Sequence, residues 1–375
     1  MLAKQLAAQG SGSWSGSLEA LKALQESVAL WRGLVEVAPD AHTAGLAEAL
    51  RELAKRQAAM GLPTKGMEAV QESVALWRGL VEVAPDAHTA GLADALRELG
   101  EQRAAVGQWE VALEAAQESV DLWRDLVRVA PDAHTIGLAD ALHKLAMRLP
   151  ALGRWDDSLE ATRESVELWR GLVEVAPDAH IIGLASVLHS FGTDLGEAGR
   201  SAEALQVVQE SASLLRGVIG QKGHASKLAA VSHTLGVLLD AVGRPAEGLE
   251  AIQESVELWR GLVRGLQYTT DLARALLVLG AMLHEAGRRM EGLEAAAEAL
   301  HLYRKLVEVE GNVHTPDLAA ALYNIGVQQQ GVGQRVKAID AAREAVQLFE
   351  ALHGRLPHAY KGKLAAAKAF LHSIA

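Results

Sequence analysis

The chain has 375 residues, with 36 Lys plus Arg against 47 Asp plus Glu, for a formal net charge of −11. That balance argues against general nucleic-acid binding, which needs surplus cations to displace counterions from phosphate. With 50% hydrophobic and 22% charged residues the composition is globular, and the absence of cysteine removes disulfides, thiol nucleophiles, iron–sulfur clusters and thiolate zinc sites together. A cysteine-free chain fits a cytoplasmic setting. No apolar run approaches the roughly 20 residues of a membrane span; the longest, Ala275 to Leu283, has nine residues and contains a glycine. The N-terminus carries one Lys and no sustained apolar core, so no secretory signal is expected.

In chain order, residues 1–10 (MLAKQLAAQG) align with residues 52–61 (ELAKRQAAMG) and predict a partial first helix. Residues 11–17 read as a Gly/Ser-rich insertion. Helix-pair repeats then fill residues 18–361. The stretch QESVALWRGLVEVAPDAHTAGLA from Gln25 to Ala47 recurs unchanged from Gln71 to Ala93. Further equivalents of Gln25 fall at Gln117, Arg163, Gln209, Gln253, Ala297 and Arg343, in steps of 46, 46, 46, 46, 44, 44 and 46 residues. A constant period of this length is the mark of a repeat architecture.

Each copy reads as two helices. Leu92, Leu96, Leu99 and Val106 predict a first helix over Leu92–Val106, stopped at Gly107. Leu113, Ala116, Val120, Trp123 and Val127 form the apolar stripe of a second helix over Trp109–Val129, stopped by Pro131-Asp132. The glycine stop recurs at Gly61, Gly153, Gly199, Gly243, Gly287 and Gly333, and the Pro-Asp stop at Pro39, Pro85 and Pro177. The next first helix is expected to open at a Thr N-cap, as at Thr43, Thr89, Thr135 and Thr315. Residues 362–375 read as a capping helix, with Lys361, Lys363 and Lys368 on a solvated side. No strand-period segment of useful length occurs, so the fold is all-α.

Small residues recur at fixed places: Gly100, Gly107, Ala112 and Ser119; Gly236, Gly243, Gly248 and Ser255; Gly326, Gly333, Ala338 and Ala345. This pattern resembles the tetratricopeptide repeat family, over essentially the whole chain. The repeat here is longer than the family's usual one and is similar to the arrays of kinesin light chains and of bacterial signalling ATPases. The resemblance implies that residues 1–375 form a single right-handed solenoid of antiparallel helix pairs, with first helices lining a concave face. It further implies a non-catalytic protein- or peptide-binding scaffold.

Three series have chemical interest. Trp31, Trp77, Trp123, Trp169 and Trp259 are replaced elsewhere by Leu215, Tyr303 and Phe349, which points to packing rather than to a stacking ladder for ligands. Arg32, Arg78 and Arg170 are expected to pair with Glu36, Glu82 and Glu174 one turn on. His42, His88, His134, His180 and His314 fall in register, but packed helices lie about 8–10 Å apart and zinc holds nitrogen at about 2 Å. A metal array is therefore not expected, and these histidines are assigned a loop role in capping or packing. No GxSxG elbow, HExxH pair or phosphate loop is present, so neither a catalytic residue nor a cofactor is expected.

If the Gly100 position marks the helix contact, the resemblance places three rows on the concave face. Three residues before it stand Arg51, Arg97, His143, His189, His233, Leu277 and Tyr323. One residue after stand Lys55, Glu101, Met147, Thr193, Val237, Ala281 and Val327, and six before stand Glu48, Asp94, Asp140, Ser186, Ala230, Arg274 and Ala320. These rows vary where the framework repeats, as a tailored binding surface would, and as an unconstrained surface also would. The N-terminal rows mix Arg, Lys and His with acids, and the C-terminal rows are more apolar. The matching partner has an acidic stretch and an apolar anchor, and charge reversal at Arg51, Arg97 and His143 is expected to leave the fold intact. Two other readings stand beside this one. A chain opening inside a repeat suits a sensor or regulatory arm of a larger signalling protein, linked to a STAND ATPase or a protease. Near-identical repeats also suit self-association.

Overall fold

The computed structural model describes residues 14–218, 224–264 and 267–375. The described residues form sixteen α-helices: α1 (Trp14–Val37), α2 (Pro39–Ala59), α3 (Pro63–Val83), α4 (Pro85–Ala105), α5 (Trp109–Val129), α6 (Pro131–Ala146), α7 (Trp155–Val175) and α8 (Pro177–Glu197). There follow α9 (Ser201–Gly217), α10 (His224–Ala241), α11 (Pro245–Leu262), α12 (Thr269–Glu285), α13 (Arg289–Glu310), α14 (Thr315–Gly331), α15 (Arg335–Arg355) and α16 (Pro357–Ile374). Single 3-10 turns sit at Pro150–Leu152 and Gly311–His314, and the isolated bridge between Arg264 and Gln267 is the nearest approach to a strand among the described residues. The chain divides into two compact units, residues 1–194 and 195–375. Each is a stack of antiparallel helix pairs, as the repeat predicts.

The glycine stops behave as expected. All seven adopt the left-handed conformation, from +71° in φ at Gly153 to +80° at Gly243, where a side chain would meet its own carbonyl. The helix starts differ from expectation. Pro39, Pro85, Pro131 and Pro177 do not lie in loops; they open the next first helix after a break of one residue. Proline has no N–H to lose in a first turn and its ring presets the helical φ. It also pushes the preceding residue out of the helical region, and Ala38 accordingly sits at φ −145°, ψ 80°. Asp40 then meets the positive end of the helix. Thr43, Thr89 and Thr135 are consequently inside their helices, where each Oγ1 donates to the proline carbonyl one turn back at 2.7–2.8 Å. Thr315 is the first helical residue of α14, and its N-cap is His314.

The ends shift as well. The partial helix expected at 1–10 and the start of the 11–17 insertion lie outside the described residues, whereas residues 14–17 belong to α1. The last helix begins at Pro357, ahead of the expected residue 362.

Small residues set the crossings within pairs. A Cβ on Gly236 would stand 2.9 Å from the Gly248 carbonyl, and one on Gly280 would stand 2.9 Å from that of Gly292. Backbones therefore touch. Ser73, Ser119, Ser165 and Ser255, at the next small position, each donate Oγ–H to a first-helix carbonyl at 2.6–2.7 Å, which satisfies a buried hydroxyl. One long side chain covers each crossing, from the following first helix in Gln102 over Gly66, Met282 over Gly248 and Gln328 over Gly280, and from the turn just after it in Arg148 over Gly100.

The tryptophans are packing residues. Trp77, Trp123, Trp169 and Trp259 are 6–8% exposed. Trp31, Trp77, Trp123 and Trp169 lie flat on Gly45, Gly91, Gly137 and Gly183, where an added Cβ would meet the ring at 2.4–2.7 Å. Their other neighbour is the histidine series. His42, His88, His134 and His180 occupy first-helix first turns rather than loops, with ring centroids 5.8–6.1 Å from the tryptophans. Trp259 keeps the arrangement with Tyr268 in place of His, at 5.3 Å. Tyr268 has φ +60°, a conformation that costs a side-chain-bearing residue energy.

Candidate binding surface on the first helices

In the first unit Arg51, Arg97, His143 and His189 stand on α2, α4, α6 and α8, with Met147 just past the end of α6, and the charges of these rows are already engaged. Arg51 is only 8% exposed. Its Nη2 sits 2.7 Å from Glu48 and 3.4 Å from Glu52. Burial opposes the Arg51 charge, yet the Glu48 hydrogen bond and neighbouring acids outweigh it and hold its pKa above the usual value. Lys55 pairs with Glu52 at 3.1 Å. Arg97 lies between Asp94 at 3.0 Å and Glu101 at 3.7 Å, and Lys144 crosses from α6 to Glu101 at 3.2 Å. The face is a lattice of short-range ion pairs rather than a basic strip. Reversing Arg51 would place a carboxylate between two others, so this substitution is not neutral for the fold, contrary to expectation.

Behind these pairs lies a polar layer that the pattern did not disclose. Glu98, 3% exposed, accepts a hydrogen bond from Gln102 Nε2 at 2.8 Å. Burial pushes its carboxyl above the ordinary range, with the Gln102 bond working against the shift. Arg148 is also buried, and its Nη1 donates to the Lys144 carbonyl. Sequence alone does not single these two out, since Glu52 and Lys144 stand at the equivalents of Glu98, and Arg56 and Asp194 at those of Arg148; only burial distinguishes them. His143 and His189 stand half-buried on α6 and α8, and the His189 carbonyl takes a bond from Thr193 at 3.1 Å.

In the second unit the rows converge differently. Val237 on α10, with Arg274, Leu277 and Ala281 on α12, come from all three rows and line one pocket of about 380 Å³. Val278 and Met282 complete its apolar wall, and Asp240, Glu285 and Asn324 stand at its polar margin. His233 lies half-buried on α10, one turn before Val237. Tyr323 is not open in the way expected. Its ring meets Phe370 of α16 edge-on, with centroids 5.7 Å apart, so the terminal helix covers part of the face there. The set Arg51, Lys55, Arg97, Glu101, His143 and His189 thus belongs to the first unit, and His233, Leu277 and Tyr323 to the second.

No three His, Asp or Glu side chains among the described residues are grouped to hold a metal ion, and no helix among them is long and apolar enough to cross a membrane.

No protein-family model and no curated protein matches the sequence. Among solved structures the chain is similar to BtubC (BKLC) from P. vanneervenii, with a TM-score of 0.55 and 18% identity over 66% of this chain and 92% of that one. It is also similar to a STAND signal-transduction ATPase with a tetratricopeptide repeat sensor from Pyrococcus horikoshii, with a TM-score of 0.58 and 14% identity. That match covers 96% of this chain, which spans about half (49%) of the longer protein. The likeness is one of fold: a tetratricopeptide-like stack of helix pairs.

Proposed function

We propose that this chain is a non-catalytic interaction scaffold of the cytoplasm that binds a protein or peptide segment across the exposed face of its first helices. The observation that carries the reading is the pocket at Val237, Leu277 and Ala281. There the three variable rows meet around an apolar cavity, while the residues beneath them, Gly236 and Gly280, keep to the repeated framework. Repeat scaffolds place function on such variable faces, and pockets of about 300–1,000 Å³ with apolar walls and a few polar groups are the usual form of a recognition site.

The test is panning of a displayed peptide library on the full chain and on Ala281→Trp, an exposed position whose new side chain fills the pocket. Peptides enriched on the wild type are expected to lose binding to the variant, with its melting curve unchanged. Equal enrichment on both proteins would remove this face from consideration.

A second reading is favoured by one observation. The STAND protein similar over 96% of this chain is described as carrying a tetratricopeptide repeat sensor. A sensor arm would use the same face to bind an incoming protein signal. Self-association is a third outcome, and a constant monomer mass in light scattering across concentrations would exclude it.

A further inference from the structure

We infer that the segment bound in the second unit is cationic: an apolar anchor residue flanked by Lys or Arg. This deepens the peptide-binding reading above and rests on it. The argument begins with charge balance on the two faces. In the first unit each base named on the first-helix face, Arg51, Lys55, Arg97 and Lys144, sits within 3.2 Å of a carboxylate of its own unit. A partner acid would have to compete with contacts already made. That removes the basis for the acidic stretch expected from the sequence.

The second unit shows the opposite imbalance. Asp240 on α10 and Glu285 on α12 both line the pocket, and among the described residues neither side chain has an ion pair or hydrogen bond. The one base at the pocket, Arg274, is turned toward Asp271 at 3.7 Å. Two carboxylates therefore flank the apolar cavity against a single arginine, which is turned toward a third acid. A cationic segment laid across the cavity supplies their counter-charge, and complementary charge at the edge of an apolar site raises both encounter rate and specificity. The net charge of −11 acts in the same direction at longer range.

The cavity fixes the other half of the motif. Its walls are Val237, Leu277, Val278, Ala281 and Met282, and Val237 is 43% exposed with nothing over it. About 380 Å³ accepts one large apolar side chain rather than a run of them. Asn324, on the wall contributed by α14, has a carboxamide without a partner among the described residues. It offers a donor and an acceptor together, the pair that a peptide unit requires.

The test uses three sets of fluorescent twelve-residue peptides on the full chain, read by anisotropy at low and at high salt. One set has a central Leu, Phe or Trp flanked by Lys and Arg, the second has the same centre flanked by Asp and Glu, and the third keeps the basic flanks with Ser at the centre. The basic anchored set is expected to bind at least about tenfold tighter than either other set, and to weaken at high salt. Asp240→Asn with Glu285→Gln should cost that set about tenfold while leaving the thermal melt in place. Acidic peptides that bind as well as basic ones, and are blocked by Ala281→Trp, would overturn the cationic assignment and leave the groove reading standing. Basic peptides that bind equally without an anchor would overturn it as non-specific attraction. Failure of every set to bind the wild type would overturn both readings.

Discussion

Arg78 on α3 holds Glu118 on α5 at 2.9 Å, across the boundary between one repeat and the next. The same contact joins Arg32 to Glu72, Arg124 to Glu164 and Arg304 to Glu344 at 2.6–2.7 Å, each at a separation of 40 residues. Where the repeat shortens to 44 residues the separation shortens with it, to 38 in Arg216–Glu254 and Arg260–Glu298. The expected pairs within one helix, such as Arg78 with Glu82, give way because the acid of the neighbouring second helix stands directly alongside.

These side chains are half exposed, 55% for Arg78 and 43% for Glu118. Water and salt therefore screen the attraction, and Arg78→Ala is expected to lower stability by about 0–1 kcal/mol. A double-mutant cycle with Glu118→Ala in urea denaturation measures the pair, and the coupling should fade in about 1 M salt, where the screening length is about 3 Å.

Gly91 is a stricter position. A methyl group there would meet the Trp77 ring at 2.7 Å. The ring is buried and hemmed by His88, so it cannot move aside freely. Gly91→Ala should destabilise by about 1–3 kcal/mol through overpacking, and Trp77→Leu in the same chain should make the alanine less harmful. Equilibrium unfolding of the two single variants and the double variant checks both statements.

Gly107 tests backbone strain alone, because its φ is +78° and a Cβ there would meet nothing within 4 Å. Gly107→Ala is expected to cost about 1–2 kcal/mol, and Gly107→Asn less, since asparagine tolerates this region better than alanine does. Loss of the same size at Gly33, which has open space and an ordinary helical φ, would contradict the explanation.

Two buried acids give a pH dependence of defined sign. Burial raises the Glu98 pKa above 4.5, so between the unfolded and folded values the native state holds the extra proton. Its contribution to stability is thus present at low pH and lost as pH rises through the folded value. Glu98→Gln should stabilise the protein at pH 7, and the gain should disappear on acidification. Tyr303 behaves alike at the alkaline end: burial pushes its pKa from 10.0 to about 12. Stability should fall between those values, and Tyr303→Phe should flatten that part of a denaturation series against pH.

Much of the architecture was legible because it is written many times over. The period, the glycine stops and the small residues at Gly236 and Gly248 follow from local sterics repeated at fixed spacing. Helix starts were misread because Pro39-Asp40 serves both as the end of one helix and the beginning of the next, and only the one-residue break at Ala38 separates the two roles. The aromatic series was also longer than the histidines alone suggested, since Tyr268 fills the same place against Trp259. For the candidate surface, register was readable and charge state was not. Which side of its own helix Arg51 occupies follows from helical spacing, but whether Arg51 is available depends on the reach of Glu48 and Glu52, which spacing does not reveal.

The ladder of Arg–Glu contacts ends in a swap. The last second helix, α15, carries Glu350 where the others carry Arg, and it takes Lys368 of α16 at 2.7 Å. Every internal copy, by contrast, offers an arginine forward and a glutamate backward. Unequal crossing-over between near-identical segments, such as residues 25–47 and 71–93, can therefore add or delete a whole rung and leave no orphaned charge at the new junction. The stack of helix pairs can be lengthened or shortened by recombination while the Glu350–Lys368 contact stays the same.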